Sequence, residues 1–183
     1  MSGQFTHRLA EPVDLPALEQ LMQLSIRRLI GEYFDDLRLE ASFEIMGLDT
    51  GLIRDRTYFV IESGQRIVGG GGWSRRATMF GGDHTSGRDD RLLDPKIEPA
   101  RIRAMYTHPD FVRRGIGRLV LEQCEEAAER EGFGSLELVA TVAGEPFYLS
   151  AGYIVTERFD VPTSLGVSVP CARMMKDLKI SRV

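Results

Sequence analysis

RIRAMYTHPDFVRRGIGRLVLEQCEEAAEREG, residues 101–132, is the stretch from which the rest of this chain is read. A strand-like run over 101–107 meets Pro109, then an Arg- and Gly-rich turn, then a long amphipathic helix. Gly115 and Gly117 remove Cβ atoms where the backbone must turn tightly and approach a ligand. The helix that begins there aims its free N–H groups and the positive end of its dipole at the same point. Strand, loop and helix in this order read as an anion-binding device, with a phosphate as the natural occupant.

Local charge agrees with that reading. Between Arg101 and Arg118 stand five arginines (Arg101, Arg103, Arg113, Arg114 and Arg118) against one acid, Asp110, in a chain of formal net charge −4. Along the helix, Ile116, Leu119, Val120, Gln123, Cys124 and Ala127 fall on one face, and Glu122, Glu125, Glu126 and Glu129 fall opposite as a solvated side. Gly132 is suited to stop the helix.

A Gly-x-Gly turn alone is weak evidence for a ligand, since tight turns use glycine for geometry. The next segments add to it. A strand, SLELVAT (135–141), is followed by GEPFYLSAGY, a short helix that carries Phe147 and Tyr148 and ends at Gly152-Tyr153. Together the two segments resemble the GNAT superfamily of acyl-CoA-dependent N-acyltransferases. Its pyrophosphate loop reads Gln/Arg-x-x-Gly-x-Gly/Ala, and its later helix reads Phe-Tyr-x-x-x-Gly-Phe/Tyr. Here the first is Val112-Arg113-Arg114-Gly115-Ile116-Gly117 and the second is Phe147-Tyr148-Leu149-Ser150-Ala151-Gly152-Tyr153. The resemblance extends over roughly residues 5–178. Val112 replaces the usual Gln or Arg, a small change where a loop grips through backbone N–H groups. Thr141 stands where many relatives carry Asn, and offers a hydroxyl instead.

The resemblance implies a GNAT fold in the α/β (α+β) class, one mixed central sheet flanked by helices, as a single domain over 1–183. It implies acetyl-CoA as co-substrate and no metal. The main chain of Met105, Tyr106 and Thr107 would pair with the pantetheine arm of CoA, as an added strand pairs with an edge. Val112, Arg113, Arg114, Gly115, Ile116, Gly117 and Arg118 would hold the pyrophosphate, with Thr141 and Tyr148 completing the cofactor side.

Acyl transfer from a thioester to an amine needs a neutral amine, a polarised carbonyl and a proton for the departing thiolate. Tyr148 suits the last role, because a tyrosine titrates near ~10 and a thiol near ~8.5. Its plainer reading is a core aromatic beside Phe147, which the motif position outweighs. Glu98, just before the cofactor strand, is the candidate general base against the reading of a solvated loop carboxylate. A silent acyl-CoA-binding module is the alternative to an enzyme.

Composition sets outer bounds. The hydrophobic fraction of 43% and charged fraction of 27% are those of an ordinary globular domain. Net acidity speaks against general nucleic-acid binding and mildly favours cationic acceptors. The acceptor is read no further than a small amine or a protein amine, and a homodimer is left open. The two cysteines, Cys124 and Cys171, read as buried thiols. Neither a secretory leader nor an 18-residue apolar run is visible, so the chain reads as cytoplasmic and not membrane-bound.

Taken in order, residues 5–11 read as a strand, Asp14 as the cap of a helix on Leu15, Leu18, Leu21, Met22 and Ile26, and 32–46 as a second helix. In the family, that helix pair edges the acceptor site; Glu32, Tyr33 and Asp36 are candidates to face substrate there, against the stronger reading of each as an ordinary surface or rim residue. Segments 57–63 and 65–74 read as a hairpin. Gly69–Gly72 lacks the Lys-Ser/Thr of a P-loop and reads as a bulge or a place where a ligand meets bare backbone. Residues 75–99 form an irregular loop in which Asp83 and His84 lack a second histidine at ligand spacing. His108 before Pro109 reads as a turn residue, and 153–178 as two closing strands.

Overall fold

The structure, a computed structural model, describes residues 5–178. In chain order it contains β1 (Thr6–Leu9), α1 (Leu15–Ser25), α2 (Asp36–Ile45), α3 (Thr50–Arg54), β2 (Tyr58–Ser63), β3 (Arg66–Ser74) and β4 (Ala100–Thr107), followed by α4 (Ile116–Arg130), β5 (Ser135–Thr141), α5 (Glu145–Ser150), β6 (Ile154–Pro162) and β7 (Ser168–Asp177). Among the described residues, seven strands form one sheet in the order β1-β2-β3-β4-β5-β7-β6. Every neighbouring pair is antiparallel except β4 with β5. This is the expected mixed sheet flanked by helices.

Packing explains the glycine run. A Cβ on Gly69 would overlap Ile116, and one on Gly71 would overlap Met105 and crowd Val120. The bare backbone of β3 therefore seats α4 and not a ligand. A bulge does fall beside the run, where the β3–β4 register shifts between Gly70 and Gly72, but its extra residue is carried by β4. From α4, Ile116, Val120, Leu121, Cys124 and Ala128 are buried in a core shared with Trp73, Leu136, Leu138 and Met174. Glu125 departs from the solvated-face reading, for it is half-buried and accepts from Lys176 Nζ at 2.7 and 2.8 Å and from the Tyr153 hydroxyl at 3.1 Å.

Helix boundaries differ from the sequence reading for local reasons. The Asp14 side chain does not cap α1. A 3₁₀ turn over Pro12–Asp14 precedes that helix, and the carboxylate accepts instead from the Glu11 N–H and from two nitrogens of Arg8. Downstream, α2 begins at Asp36 and not 32, because Asp35 is extended and its carboxylate caps the Arg38 N–H at 2.8 Å. The short helix α3 lies outside the elements read from the sequence; its signal is Asp49, whose side chain accepts from the Gly51 N–H. Cys124 and Cys171 are both buried and free.

Hydrogen bonds from Arg8 hold the Asp14 carboxyl below the usual carboxylate range. A depressed folded-state value contributes stability above the unfolded pKa, near ~3.9, and loses it as pH falls through the folded value. Asp14→Asn should therefore cost on the order of 1 kcal/mol at pH 7. It should also flatten the acid side of a plot of thermal midpoint against pH below about pH 4. An unchanged acid limb would remove Asp14 from the list of acid-sensitive groups.

Candidate active site

Among the described residues, β4 and β5 pair only near their starts, through Ala100↔Leu136 and Arg101↔Glu137. Beyond Arg101 they part. The cause lies in β4: between the pairs Gly72↔Arg103 and Gly70↔Tyr106 it carries one residue more than β3, and Ala104 is left-handed at φ 51°. Such a bulge bends a strand out of its ladder. The Tyr58 hydroxyl donates to the Ala104 carbonyl at 2.9 Å and Tyr106 donates to the Gly47 carbonyl at 3.0 Å, which pins the bend from behind. Among the described residues, Met105, Tyr106 and Thr107 have no strand on their β5-facing edge. The gap opens into a cleft that includes Met105, Tyr106, Thr141, Gly144 and Tyr148.

At the end of β4 the chain enters the glycine loop. The His108 Nδ1 accepts from the Asp110 N–H and caps a 3₁₀ turn over Pro109–Phe111, so His108 is the turn residue it was read as. Arg113 (φ 63°) and Gly115 (φ 84°) are both left-handed. Left-handed residues on either side of Arg114 turn neighbouring N–H groups into a concavity suited to an anion. A non-glycine residue held this way is strained, as residues at ligand sites often are. Beyond Gly115, the first turn of α4 presents N–H groups with no partner inside the helix. Arg114 lies over the rings of Phe5 and Phe111 at 5.4 and 4.9 Å, and Arg118 reaches the Ser150 carbonyl at 3.3 Å. Val112, Arg113 and Arg118 are exposed. Gly117 meets α5, since a Cβ there would lie 3.3 Å from Phe147 Cζ.

Tyr148 stands between the loop and the cleft. Its ring packs on Phe147 and Tyr153, with centroids 5.0 and 5.8 Å away, and only 8% of the residue is exposed. Burial pushes its phenol above the ordinary value, so the proton stays on oxygen at neutral pH. Among the described residues the hydroxyl has no hydrogen-bond partner, while the ring lines the cleft. A donor that opens onto a cleft with no partner of its own is suited to a ligand. Thr141 ends β5 nearby, its Oγ1 accepting from the Gly144 N–H at 3.3 Å.

Three residues singled out from sequence sit elsewhere. Arg101 pairs with Glu137, and Arg103 is 2% exposed and pairs with Asp49 at 3.0 Å, so neither belongs to the anion loop. The loop's charge comes from Arg113, Arg114 and Arg118. Glu98 does not line the cleft. Its carboxylate is held by both terminal nitrogens of Arg91 and by the Asp94 N–H, which brings its pKa down to about 2. A group so easily ionised and already engaged is a poor base.

A clamp behind the cleft has no signature in the sequence. Asp49 accepts from Arg88 and Arg103 and caps α3. Arg103 also donates to the Thr78 and Gly81 carbonyls, at 3.0 and 2.7 Å. These bonds fix the irregular 75–99 segment, so that Met79, Phe80 and Gly81 wall the cleft. No local pattern links Asp49 to Arg103, because the pairing exists only once the sheet has formed.

Residues 54–155 match the family model described as an acetyltransferase (GNAT) domain. The chain belongs to the GNAT acetyltransferase family. Solved structures agree on the fold. A GCN5-related N-acetyltransferase from Rhodopseudomonas palustris superposes with a TM-score of 0.70 at 18% identity, over 97% of this chain and 98% of that one. YncA of Salmonella typhimurium, solved with its cofactor acetyl-CoA, gives 0.64 at 18% identity over 99% and 98%. The PaiA N-acetyltransferase of Thermoplasma acidophilum, in complex with coenzyme A, gives 0.63 at 14% over 97% and 100%. No curated protein matches the sequence.

Proposed function

We propose that this protein transfers an acetyl group from acetyl-CoA to a primary amine by direct attack, without a covalent enzyme intermediate. The observation that carries this reading is the open β5-facing edge of Met105–Thr107, which runs from the unpartnered Tyr148 hydroxyl toward the N–H concavity at Arg113–Gly117. The edge offers backbone N–H and C=O groups to the amides of a pantetheine arm, and the loop offers N–H groups and arginines to a pyrophosphate. Tyr148 donates its proton toward the thioester sulfur. The amine nitrogen bonds to the carbonyl carbon, the carbon–sulfur bond breaks, the sulfur takes the Tyr148 proton, and the nitrogen releases a proton to water, from which Tyr148 is reprotonated. The products are an amide and free CoA. The open hydroxyl of Tyr148 favours this reading over a silent acyl-CoA-binding module.

Among the described residues no group of three or more His, Cys, Asp or Glu is placed to hold a metal, and no helix is long and apolar enough to cross a membrane. We place the activity in one cytoplasmic domain spanning the chain. Acetyl-CoA should raise the thermal midpoint, with a gain of ~2.7 kcal/mol at about 100 times its dissociation constant. Free CoA should act similarly, since the contacts are with the arm and the pyrophosphate. The absence of any shift at millimolar ligand would remove the cofactor assignment.

A further inference from the structure

The acceptor end of the cleft is walled by Ile45 and Met46 at the end of α2, Met79 and Phe80 of the irregular segment, Val139 of β5 and Cys171 of β7. Among the described residues, no carboxylate and no histidine lines it, and its one charged side chain is Arg103. Nearby acids are engaged elsewhere. Asp49 is held by Arg88 and Arg103, Glu44 by Ser164, Asp83 by the Thr50 N–H and Glu145 by Arg158. The remaining titratable groups of the lining are Tyr106, Tyr148 and Cys171, all pushed above their ordinary values by burial and so neutral.

An ammonium entering this space would exchange water for thioether, aromatic and aliphatic walls with no free carboxylate to receive it, since Arg103 is itself buried and paired with Asp49. Net acidity can gather cations around the molecule, but it places no counter-charge where the amine must stand. Nor does any group in the lining remove a proton from the incoming nitrogen, so the site draws on the free base that solution supplies. An alkylamine with a pKa near ~10.4 is uncharged in less than roughly one part in a thousand at pH 7, whereas an α-amino group near ~7.7–8.0 is uncharged in about one part in ten.

Resting on the acetyl-transfer reading, we propose that the acceptor is a weakly basic primary amine carried on an apolar side chain, the chemistry of the α-amino group of a methionine or leucine derivative, and that polyamines are excluded.

Four amines separate the elements of this proposal: methionine amide (apolar, weakly basic), glycine amide (weakly basic, no side chain), phenethylamine (apolar, strongly basic) and spermidine (polycationic). Thiol release from acetyl-CoA is followed for each, beside the thermal shift given by acetyl-CoA alone. Methionine amide should exceed glycine amide in kcat/KM by about 10- to 100-fold, the range expected for seating one apolar side chain. Phenethylamine should trail methionine amide at pH 7 and gain about tenfold per pH unit up to pH 9. Spermidine should give little turnover. Met79→Glu, which sets a carboxylate in the wall, should narrow the ratio of methionine amide to spermidine at least about tenfold. A thermal shift accompanied by equal or better turnover of glycine amide or spermidine, or by no turnover of any of the four, overturns the proposal. It leaves the cofactor assignment standing, which fails separately if acetyl-CoA gives no shift.

Discussion

Tyr148→Phe lowers kcat for acetyl transfer by about 10²- to 10⁴-fold, the range for loss of a positioned proton donor, and leaves acetyl-CoA affinity within a few-fold. The substitution deletes one oxygen and keeps the ring that packs between Phe147 and Tyr153. Because that oxygen has no partner among the described residues, its removal leaves no other group unsatisfied. Stability should therefore change little or rise slightly, which separates this variant from an ordinary core mutation. The deficit should shrink with an acyl donor whose leaving thiol is more acidic, since such a group departs with less help. Wild-type turnover by the Phe variant, under conditions where chemistry limits the rate, would make Tyr148 a packing residue.

Removing the carboxylate that clamps the irregular segment from behind the cleft should do the opposite, with a large effect on stability. Asp49 is 3% exposed, and its side chain faces Arg103, 2% exposed, and Arg88. Asp49→Ala strands a buried guanidinium, a loss of about 3–5 kcal/mol. For a chain of this size that corresponds to a fall in thermal midpoint of roughly 6–20 °C. Arg88→Ala should cost less, because Arg103 then remains paired with Asp49. The double substitution Asp49→Leu with Arg103→Met removes both charges and should recover part of the loss. If Asp49→Ala melts within about 1 °C of wild type, below the ~2–4 °C that one kcal/mol would give, the clamp contributes nothing measurable to the fold.

Much of the architecture was legible because it rests on short-range patterns. The alternation in 135–141, the 3.6-residue periodicity of 116–130 and the turn glycines at 115, 132 and 152 each specify local geometry, and the structure places β5, α4 and left-handed glycines there. The loop and Tyr148 were legible through the spacing of two motifs. What failed was any inference that needed a partner distant in sequence. Arg101 and Arg103 look like neighbours of the anion loop until Glu137 and Asp49 come into view across the sheet. Glu98 looks available until Arg91 closes on it. Gly69 and Gly71 invite a ligand reading because a sequence cannot show that a helix more than forty residues later will rest on them. The apolar acceptor wall was hidden for the same reason, since its members come from α2, the irregular segment, β5 and β7.

The bulge at Ala104 has a mechanical side. With only Ala100 and Arg101 pairing across to Leu136 and Glu137, the sheet is two half-sheets, β1–β4 and β5–β7, joined along one short seam. Few ladder hydrogen bonds resist a change of angle at this seam, so the core shared by the two halves carries most of the resistance. A bound arm lying along Met105–Thr107 would act as a splint between the halves, stiffening a joint as well as filling a groove. Amide hydrogen exchange should register this as slower exchange in the second half of β4 and at the end of β5 together, including positions that no ligand atom touches.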